Sequence, residues 1–87
     1  MFDLFVAVPE KVIFSGKARM LVAPGALGFF EILWNHAPMV SLLIAGKLVI
    51  MDEAKKKWTW KMSGGFFEIN DNRAILLADS FELCEED

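Results

Sequence analysis

The sequence predicts an all-β fold, a β-sandwich of about ten strands in two mostly antiparallel sheets. The 87 residues are 55% hydrophobic and 13% aromatic, a composition that supplies many strand-forming side chains. Short apolar runs recur about every eight to ten residues and end at glycine, proline or asparagine turns, which is typical of sandwiches and barrels. No segment has the apolar spacing of an amphipathic helix.

Turn residues separate the predicted strands along the whole chain. We expect a loop at residues 35–38 and a hairpin loop at residues 70–72, because both stretches are rich in asparagine, proline or aspartate. The strands are predicted over residues 2–8, 12–14, 17–23, 28–33, 39–44, 48–51, 57–62, 66–69, 73–78 and 80–83.

The alternation of apolar and polar side chains is clearest in residues 57–62. It predicts that Trp58, Trp60 and Met62 share one face and enter the core. Thr59 and the two flanking lysines are predicted to face solvent on the other side. We expect both tryptophans to be largely buried in one layer.

The charge of the chain argues against nucleic acid as a partner. It carries 9 Lys and Arg against 12 Asp and Glu, a net charge of −3, whereas proteins that bind a phosphate backbone are usually basic. Residues 55–61 interleave lysines with tryptophans, so a single-stranded nucleic-acid surface remains an alternative. A stand-alone small β-barrel binding module, for a ligand or single-stranded nucleic acid, is therefore the alternative function. The apolar excess instead favours a protein–protein face.

The single cysteine and the single histidine leave little room for chemistry. Cys84 has no partner for an internal disulfide, which is typical of an intracellular chain, and its acidic surroundings disfavour a thiolate. His36 lies in a loop with no Ser, Cys or Asp placed to complete a relay, so we interpret it as a packing or partner-contact residue. We expect no catalytic residue, no cofactor, no metal site, no signal peptide and no membrane span.

Three motifs occur in order along nearly the whole chain. The first is Val8-Pro9-Glu10 followed by Val-Ile-Phe-Ser-Gly at 12–16. The second is Pro-Gly-Ala-Leu-Gly at 24–28, then Asn-His-Ala-Pro at 35–38 and an apolar run that reaches Gly46. The third is Ser-Gly-Gly-Phe-Phe-Glu-Ile at 63–69, then Leu-Leu-Ala-Asp at 76–79. Together they resemble the N-terminal β-sandwich domain of the ATP synthase epsilon subunit, which is called delta in mitochondria.

This resemblance implies a mechanical function. It implies a non-catalytic central-stalk subunit that links gamma to the c-ring and couples proton or sodium flow to ATP synthesis, on the cytoplasmic face of a bacterial plasma membrane. The loop around His36 and the glycine turn are expected to face the ring, with these candidate contacts: Gly25, Ala26, Leu27, Gly28, His36, Ala37 and Pro38. The candidate contacts with gamma are Val8, Met39, Val40, Ser41 and Leu43.

The chain departs from the family pattern in three places. Ala26 stands where the family often has an acidic residue, and the stretch 29–35 is longer than in the commonest pattern. The family continues after Leu-Ala-Asp into a helical hairpin, whereas this sequence ends at Asp87. We therefore expect a single domain over residues 1–87, with a short acidic tail at 80–87 in place of the hairpin. Inhibition by a hairpin, and any nucleotide site on it, is not carried over.

Overall fold

The computed structural model describes residues 1–86, which form nine strands and no helix. The predicted all-β fold is therefore confirmed, and these residues contain no helix long and apolar enough to cross a membrane. The strands are β1 (Phe2–Val8), β2 (Lys11–Gly25), β3 (Gly28–Ile32), β4 (Met39–Leu43), β5 (Gly46–Asp52), β6 (Lys57–Met62), β7 (Gly65–Asn70), β8 (Arg73–Ala78) and β9 (Phe81–Glu86).

The long strand β2 corrects the prediction of two separate strands at 12–14 and 17–23. Ser15-Gly16 was expected to end the first of these, but the chain continues through Gly16 in an extended conformation with φ of 158°. Residues that carry a side chain rarely adopt this φ. Glycine therefore lets the strand continue where another residue would be strained.

Hydrogen bonds connect all nine strands into one sheet, and strand β2 joins its two layers, here called the first and the second sheet. Its N-terminal half pairs with β1, and the first sheet continues through β8, β7 and β4. Its C-terminal half pairs with β3 and β5, and the second sheet continues through β6 to β9. Because β2 belongs to both sheets, nine strands supply ten strand segments, close to the predicted number. The β1–β8 pair is parallel and the other pairs are antiparallel.

The core lies between the sheets and is filled by the inward side chains of both. Trp60 and Met62 are buried, as predicted, whereas Trp58 is only half-buried. Thr59 was predicted to face solvent but is 7% exposed. It lies on β6 opposite Val49, and β6 has a paired strand on each side, so its short side chain is flanked by neighbours that a sequence pattern does not show. The largest fully buried side chains include Phe2, Phe67, Leu21, Ile32, Leu48, Ile50, Ile69, Leu76 and Val6.

The acidic C-terminal segment is largely a strand. Residues 81–86 form β9, which pairs with β6 along the edge of the second sheet. The predicted short strand at residues 80–83 is therefore present, and it extends through the acidic segment to Glu86. Asp87, the last residue of the predicted acidic tail, lies outside the described residues.

The register defines two opposite ends of the sandwich. Gly25 pairs with both Gly28 and Leu43, so the turn at residues 26–27 and the end of β4 share one end, here called the tip end. Met39, at the start of β4, pairs with Ile69 next to the β7–β8 turn. Residues 33–38 and 71–72 therefore share the other end, here called the loop end.

Candidate partner-binding surface

The outer side of the first sheet carries a row of exposed apolar side chains. In β4, β7, β8 and β1, alternate residues point inward and are buried, while the residues between them point outward. Leu42 and Val40 are 68% and 63% exposed, and the others lie between 37% and 45%. This set, here called the apolar face, consists of Phe5, Val40, Leu42, Phe66, Ile75 and Leu77.

The strand pairing brings most of the apolar face together in two rows. Leu42 lies directly opposite Phe66, and Phe66 lies opposite Leu77 on the next strand. In the second row the exposed Glu68 lies between Val40 and Ile75, and Ile75 is the partner of Phe5 in the parallel β1–β8 pair. Two shallow clefts of about 350 Å³ run along this face, one beside Phe66 and Leu77 and the other beside Phe5 and Ile75. An exposed apolar surface with a charged residue within it is typical of a protein–protein contact.

A charged pair borders the apolar face at the edge formed by β1 and β2. The Lys17 Nζ atom lies 2.7 Å from the Asp3 Oδ1 atom, and both side chains are exposed. The hydrogen bond from Lys17 and its positive charge lower the pKa of the Asp3 carboxyl below its ordinary value. The carboxylate therefore stays ionised at neutral pH and keeps this edge polar, which is the usual arrangement around an apolar contact surface.

The five candidate gamma contacts fall on both sides of the first sheet. Val40 belongs to the apolar face. Met39 and Ser41 are half-buried on the inward side of the same strand, and Val8 is half-buried at the end of β1. Leu43 was wrong as a contact, because it is 6% exposed and belongs to the core. The strand was identified correctly, but its outward residues are Val40 and Leu42.

The candidate ring contacts lie at opposite ends of the sandwich. The turn at residues 25–28 lies at the tip end, whereas His36, Ala37 and Pro38 lie at the loop end. Strand β4 alone separates these ends by about 13 Å, since each residue adds about 3.3 Å. The seven residues therefore form two separate groups, and their contact with the ring stays a prediction.

The tip end projects an apolar turn into solvent. Leu27 is fully exposed, and Phe29 and Ile44 are exposed nearby. Gly25 has no room for a Cβ atom, which would lie 2.7 Å from the Gly28 carbonyl oxygen. The Ala26 N–H donates to the Leu42 carbonyl at 2.9 Å, so the turn is fixed to the end of the apolar face.

The loop end combines two exposed apolar side chains, Leu33 and Trp34, with polar residues held by hydrogen bonds. His36 is half-buried, and its Nδ1 atom lies 2.6 Å from the Ala37 carbonyl oxygen. The Asn35 N–H donates to Asn72 Oδ1 at 3.1 Å. Residues 35–38 and 70–72 line an open cleft of about 510 Å³. Asp71 also lines this cleft, and among residues 1–86 no hydrogen bond joins it to His36.

The Asp52 carboxylate has a structural role in the β5–β6 turn. The Asp52 carboxylate accepts hydrogen bonds from the Trp58 Nε1–H at 3.0 Å and from the Lys56 and Ala54 N–H groups at 2.9 Å. These bonds, above all the one from Trp58, lower the pKa of Asp52 and close the β5–β6 turn. Cys84 is exposed and free. Residues 1–86 contain no cluster of three or more His, Cys, Asp or Glu side chains that could hold a metal ion.

Sequence reasoning missed most of the apolar face. Phe5, Leu42, Phe66, Ile75 and Leu77 were not among the candidate contacts. A signal existed in β8, where the outward Ile75 and Leu77 are as apolar as the buried residues between them. A strand with one face in solvent normally alternates apolar with polar residues, so this pattern predicts that both faces are covered.

Known proteins share this sequence and fold. Residues 1–84 match the family described as the ATP synthase delta/epsilon chain β-sandwich domain. An ATP synthase epsilon chain of Chlorobaculum tepidum is 38% identical over 78 residues, which are 90% of this chain and 89% of that one. The corresponding chain of Leptospira borgpetersenii is 43% identical over 97% of this chain and 65% of its own length.

Two solved structures have the same fold at low identity. A chain in a structure of the Euglena gracilis mitochondrial ATP synthase superposes with a TM-score of 0.88 at 21% identity, over 94% of this chain and 52% of that one. A chain of the Tetrahymena thermophila central stalk and c-ring gives 0.78 at 14% identity, over 91% and 63%. These matches do not favour the alternative of a stand-alone binding module. The chain belongs to the ATP synthase delta/epsilon family.

Proposed function

We propose that the chain is a non-catalytic subunit of the central stalk of a rotary ATP synthase, where it links the gamma subunit to the c-ring and couples ion flow to ATP synthesis. As part of this complex it lies on the cytoplasmic face of the plasma membrane. The observation that carries the proposal is the apolar face, because six large side chains exposed on one sheet need a partner to cover them.

The apolar face is the proposed contact with gamma. Its residues are spread over four strands around Glu68, an extent that suits a long, side-by-side contact with a rod-like partner. The loop at residues 35–38 enters β4 at the loop end and lies beside the outward residue Val40. We therefore include residues 35–38 in the same proposed contact, at the rim of the apolar face that borders the loop end.

The tip end is the proposed contact with the c-ring. A chain that lies with one side along gamma can bring only one of its ends to the ring. The turn at residues 25–28 projects farther from the sheets than the loop, as the full exposure of Leu27 indicates. This turn is also the segment that resembles the family's ring contact.

The sandwich suits the transmission of torque between these partners. Strand β2 runs through both sheets, so a load on one sheet passes to the other through a continuous backbone. Close-packed interiors have low compressibility and transmit strain. The function therefore needs rigidity and two contact surfaces, and it needs no reacting group.

Removal of the chain from the complete complex tests this proposal. We expect ATP hydrolysis to persist while ion pumping driven by that hydrolysis falls, because the rotor and the ring are no longer firmly linked. Adding back the purified chain should restore pumping, and the Leu42→Glu variant should fail to do so. Full pumping by a complex that lacks the chain would contradict the proposal.

A further inference from the structure

We propose that Asn72 is a positioning residue that holds the loop at residues 35–38 in the conformation needed to bind gamma. The inference rests on the proposed function, because this loop forms one rim of the gamma contact. The structural feature that carries it is a junction in which one asparagine links three segments of the chain.

The backbone of Asn72 places its side chain at this junction. Asp71 and Asn72 form the two-residue turn between β7 and β8, and both have positive φ, 54° and 63°. Such turns need residues that tolerate the left-handed region, which favours asparagine, aspartate and glycine. The Asn72 carbonyl accepts a hydrogen bond from the Asp3 N–H at 3.0 Å, which attaches the turn to β1.

The side-chain amide of Asn72 connects two other segments. Its Oδ1 atom accepts a hydrogen bond from the Asn35 N–H at 3.1 Å, and its Nδ2 atom donates to the Met1 carbonyl at 2.8 Å. If the amide were inverted, its N–H group would face the Asn35 N–H and its oxygen would face the Met1 carbonyl oxygen. These two partners therefore fix the orientation of the amide. One side chain thus joins the N-terminus to the loop that precedes β4.

The loop has no comparable attachment elsewhere. Asn35 itself has a positive φ of 64°. In the described chain, no other hydrogen bond links residues 34–37 to a different segment, since the bond of His36 Nδ1 stays within the loop. A loop that is ordered before binding loses less conformational entropy when it binds. Asn72 therefore contributes to binding without touching the partner.

Two substitutions at Asn72 separate its bonds, and one at Asp71 serves as a control. Asn72→Gly keeps the left-handed backbone and removes both side-chain bonds. Asn72→Asp keeps the acceptor for the Asn35 N–H and removes the donor to Met1. Asp71→Gly changes the same turn in the same way, but the Asp71 side chain makes no hydrogen bond with the rest of residues 1–86.

The experiment measures exchange of the Asn35 amide, the melting temperature and binding to the purified gamma subunit for the full chain. For Asn72→Gly we expect Asn35 exchange to be about tenfold faster and gamma affinity to be about tenfold weaker. We expect Asn72→Asp to lie closer to the unsubstituted chain. Asp71→Gly should keep the gamma affinity and the Asn35 exchange rate of the unsubstituted chain, and should lower the melting temperature less than Asn72→Gly, because it removes no side-chain hydrogen bond.

Three outcomes would overturn the inference. Unchanged Asn35 exchange in Asn72→Gly would show that this bond does not order the loop. Faster exchange with unchanged gamma affinity would show that binding does not need a preordered loop, while leaving the stalk function intact. Equal loss of affinity in Asp71→Gly would assign the effect to the turn. If the unsubstituted chain does not bind gamma, the proposed function fails together with the binding role of Asn72.

Discussion

The two outer faces of the sandwich are made by the same alternation of residues but present different side chains. The first sheet exposes the apolar face, whereas the second sheet exposes Lys47, Lys57 and Lys61 around half-buried Val49 and Met51. The exposed Phe29 of the second sheet lies on its edge strand and belongs to the tip end.

The outer side of the second sheet, here called the lysine face, carries its charges in an arrangement that favours contact with solvent. Lys47 and Lys61 are directly opposite each other on paired strands, with like charges on the same side. Such a pair repels weakly in water, and burial under a partner would strengthen the repulsion. The difference between the faces teaches that one side of the sandwich is suited to a partner and the other to solvent.

The sharpest test of this difference uses two adjacent phenylalanines. Phe67 is fully buried, with its ring 5.2 Å from that of Phe30, whereas Phe66 belongs to the apolar face. Phe67→Ala should lower the free energy of unfolding by about 3–5 kcal/mol. Phe66→Ala should lower it by less than about 1 kcal/mol but weaken gamma binding by about 2 kcal/mol or more. Urea unfolding and calorimetric titration measure both; a reversed order would contradict the assignment of faces.

The two tryptophans on the inner side of β6 provide a second test. Trp60 is 7% exposed, so Trp60→Ala should cost about 3–5 kcal/mol of stability. Trp58 is half-buried and stacks on Trp60 at 6.0 Å, so Trp58→Ala should cost less, about 1–3 kcal/mol. Neither change should alter gamma affinity beyond its effect on folding. Weaker gamma binding by folded Trp58→Ala would extend the contact to the second sheet.

A single charge placed on either face should have opposite consequences for binding. Leu42→Glu puts a carboxylate in place of the most exposed side chain of the apolar face and should weaken gamma binding by about 2 kcal/mol. The control, Lys47→Glu, replaces the repulsion between Lys47 and Lys61 with an attraction. It should change gamma affinity by no more than about twofold. Equal losses in both variants would mean that the contact is electrostatic and not confined to the first sheet.

His36 tests the rim of the proposed gamma contact. His36→Ala should leave folding nearly intact, because its ring bonds only within its own loop, and should weaken assembly by about 1–2 kcal/mol. Thermal unfolding of the free chain and titration with gamma separate the two effects. A loss of several kcal/mol in the free chain would make His36 structural.

The smallest effects should come from two carboxylates, one on each side of the molecule. Hydrogen bonds lower the pKa of Asp3 and of Asp52 in the folded chain. Their stabilising contribution is therefore complete above the ordinary value of about 3.9 and is lost as pH falls through the lowered folded value. Unfolding in urea between pH 6 and pH 2 should show this loss, reduced in Asp3→Asn and Asp52→Asn. An unchanged pH profile in both variants would contradict it.

Local patterns were sufficient to predict the fold class and most strands. The alternation in residues 57–62 placed Trp60 and Met62 correctly, and the asparagine-rich hairpin at 70–72 formed as expected. Gly16 was read as a turn because its local signal does not show whether the flanking segments continue in one direction. Neighbours across the sheet decided that, as they decided the burial of Thr59.

The surface was harder to predict because it depends on pairing between distant strands. The sequence indicated apolar residues in β4, but only the register shows that Val40 and Leu42 face outward and Leu43 inward. In the same way, residues 25–28 and 35–38 are close in sequence, yet β3 and β4 carry them to opposite ends. Motif resemblance identified the segments and could not show which of them share a surface.

Oxidative footprinting of the free chain and of its complex with gamma tests the central claim most directly. If gamma binds the apolar face, Phe5, Phe66 and Leu77 lose reactivity toward the oxidant in the complex, while Met20 and Met51 on the second sheet keep theirs. Protection of Met20 and Met51 together with unchanged reactivity of Phe66 and Leu77 would place gamma on the lysine face and contradict the account.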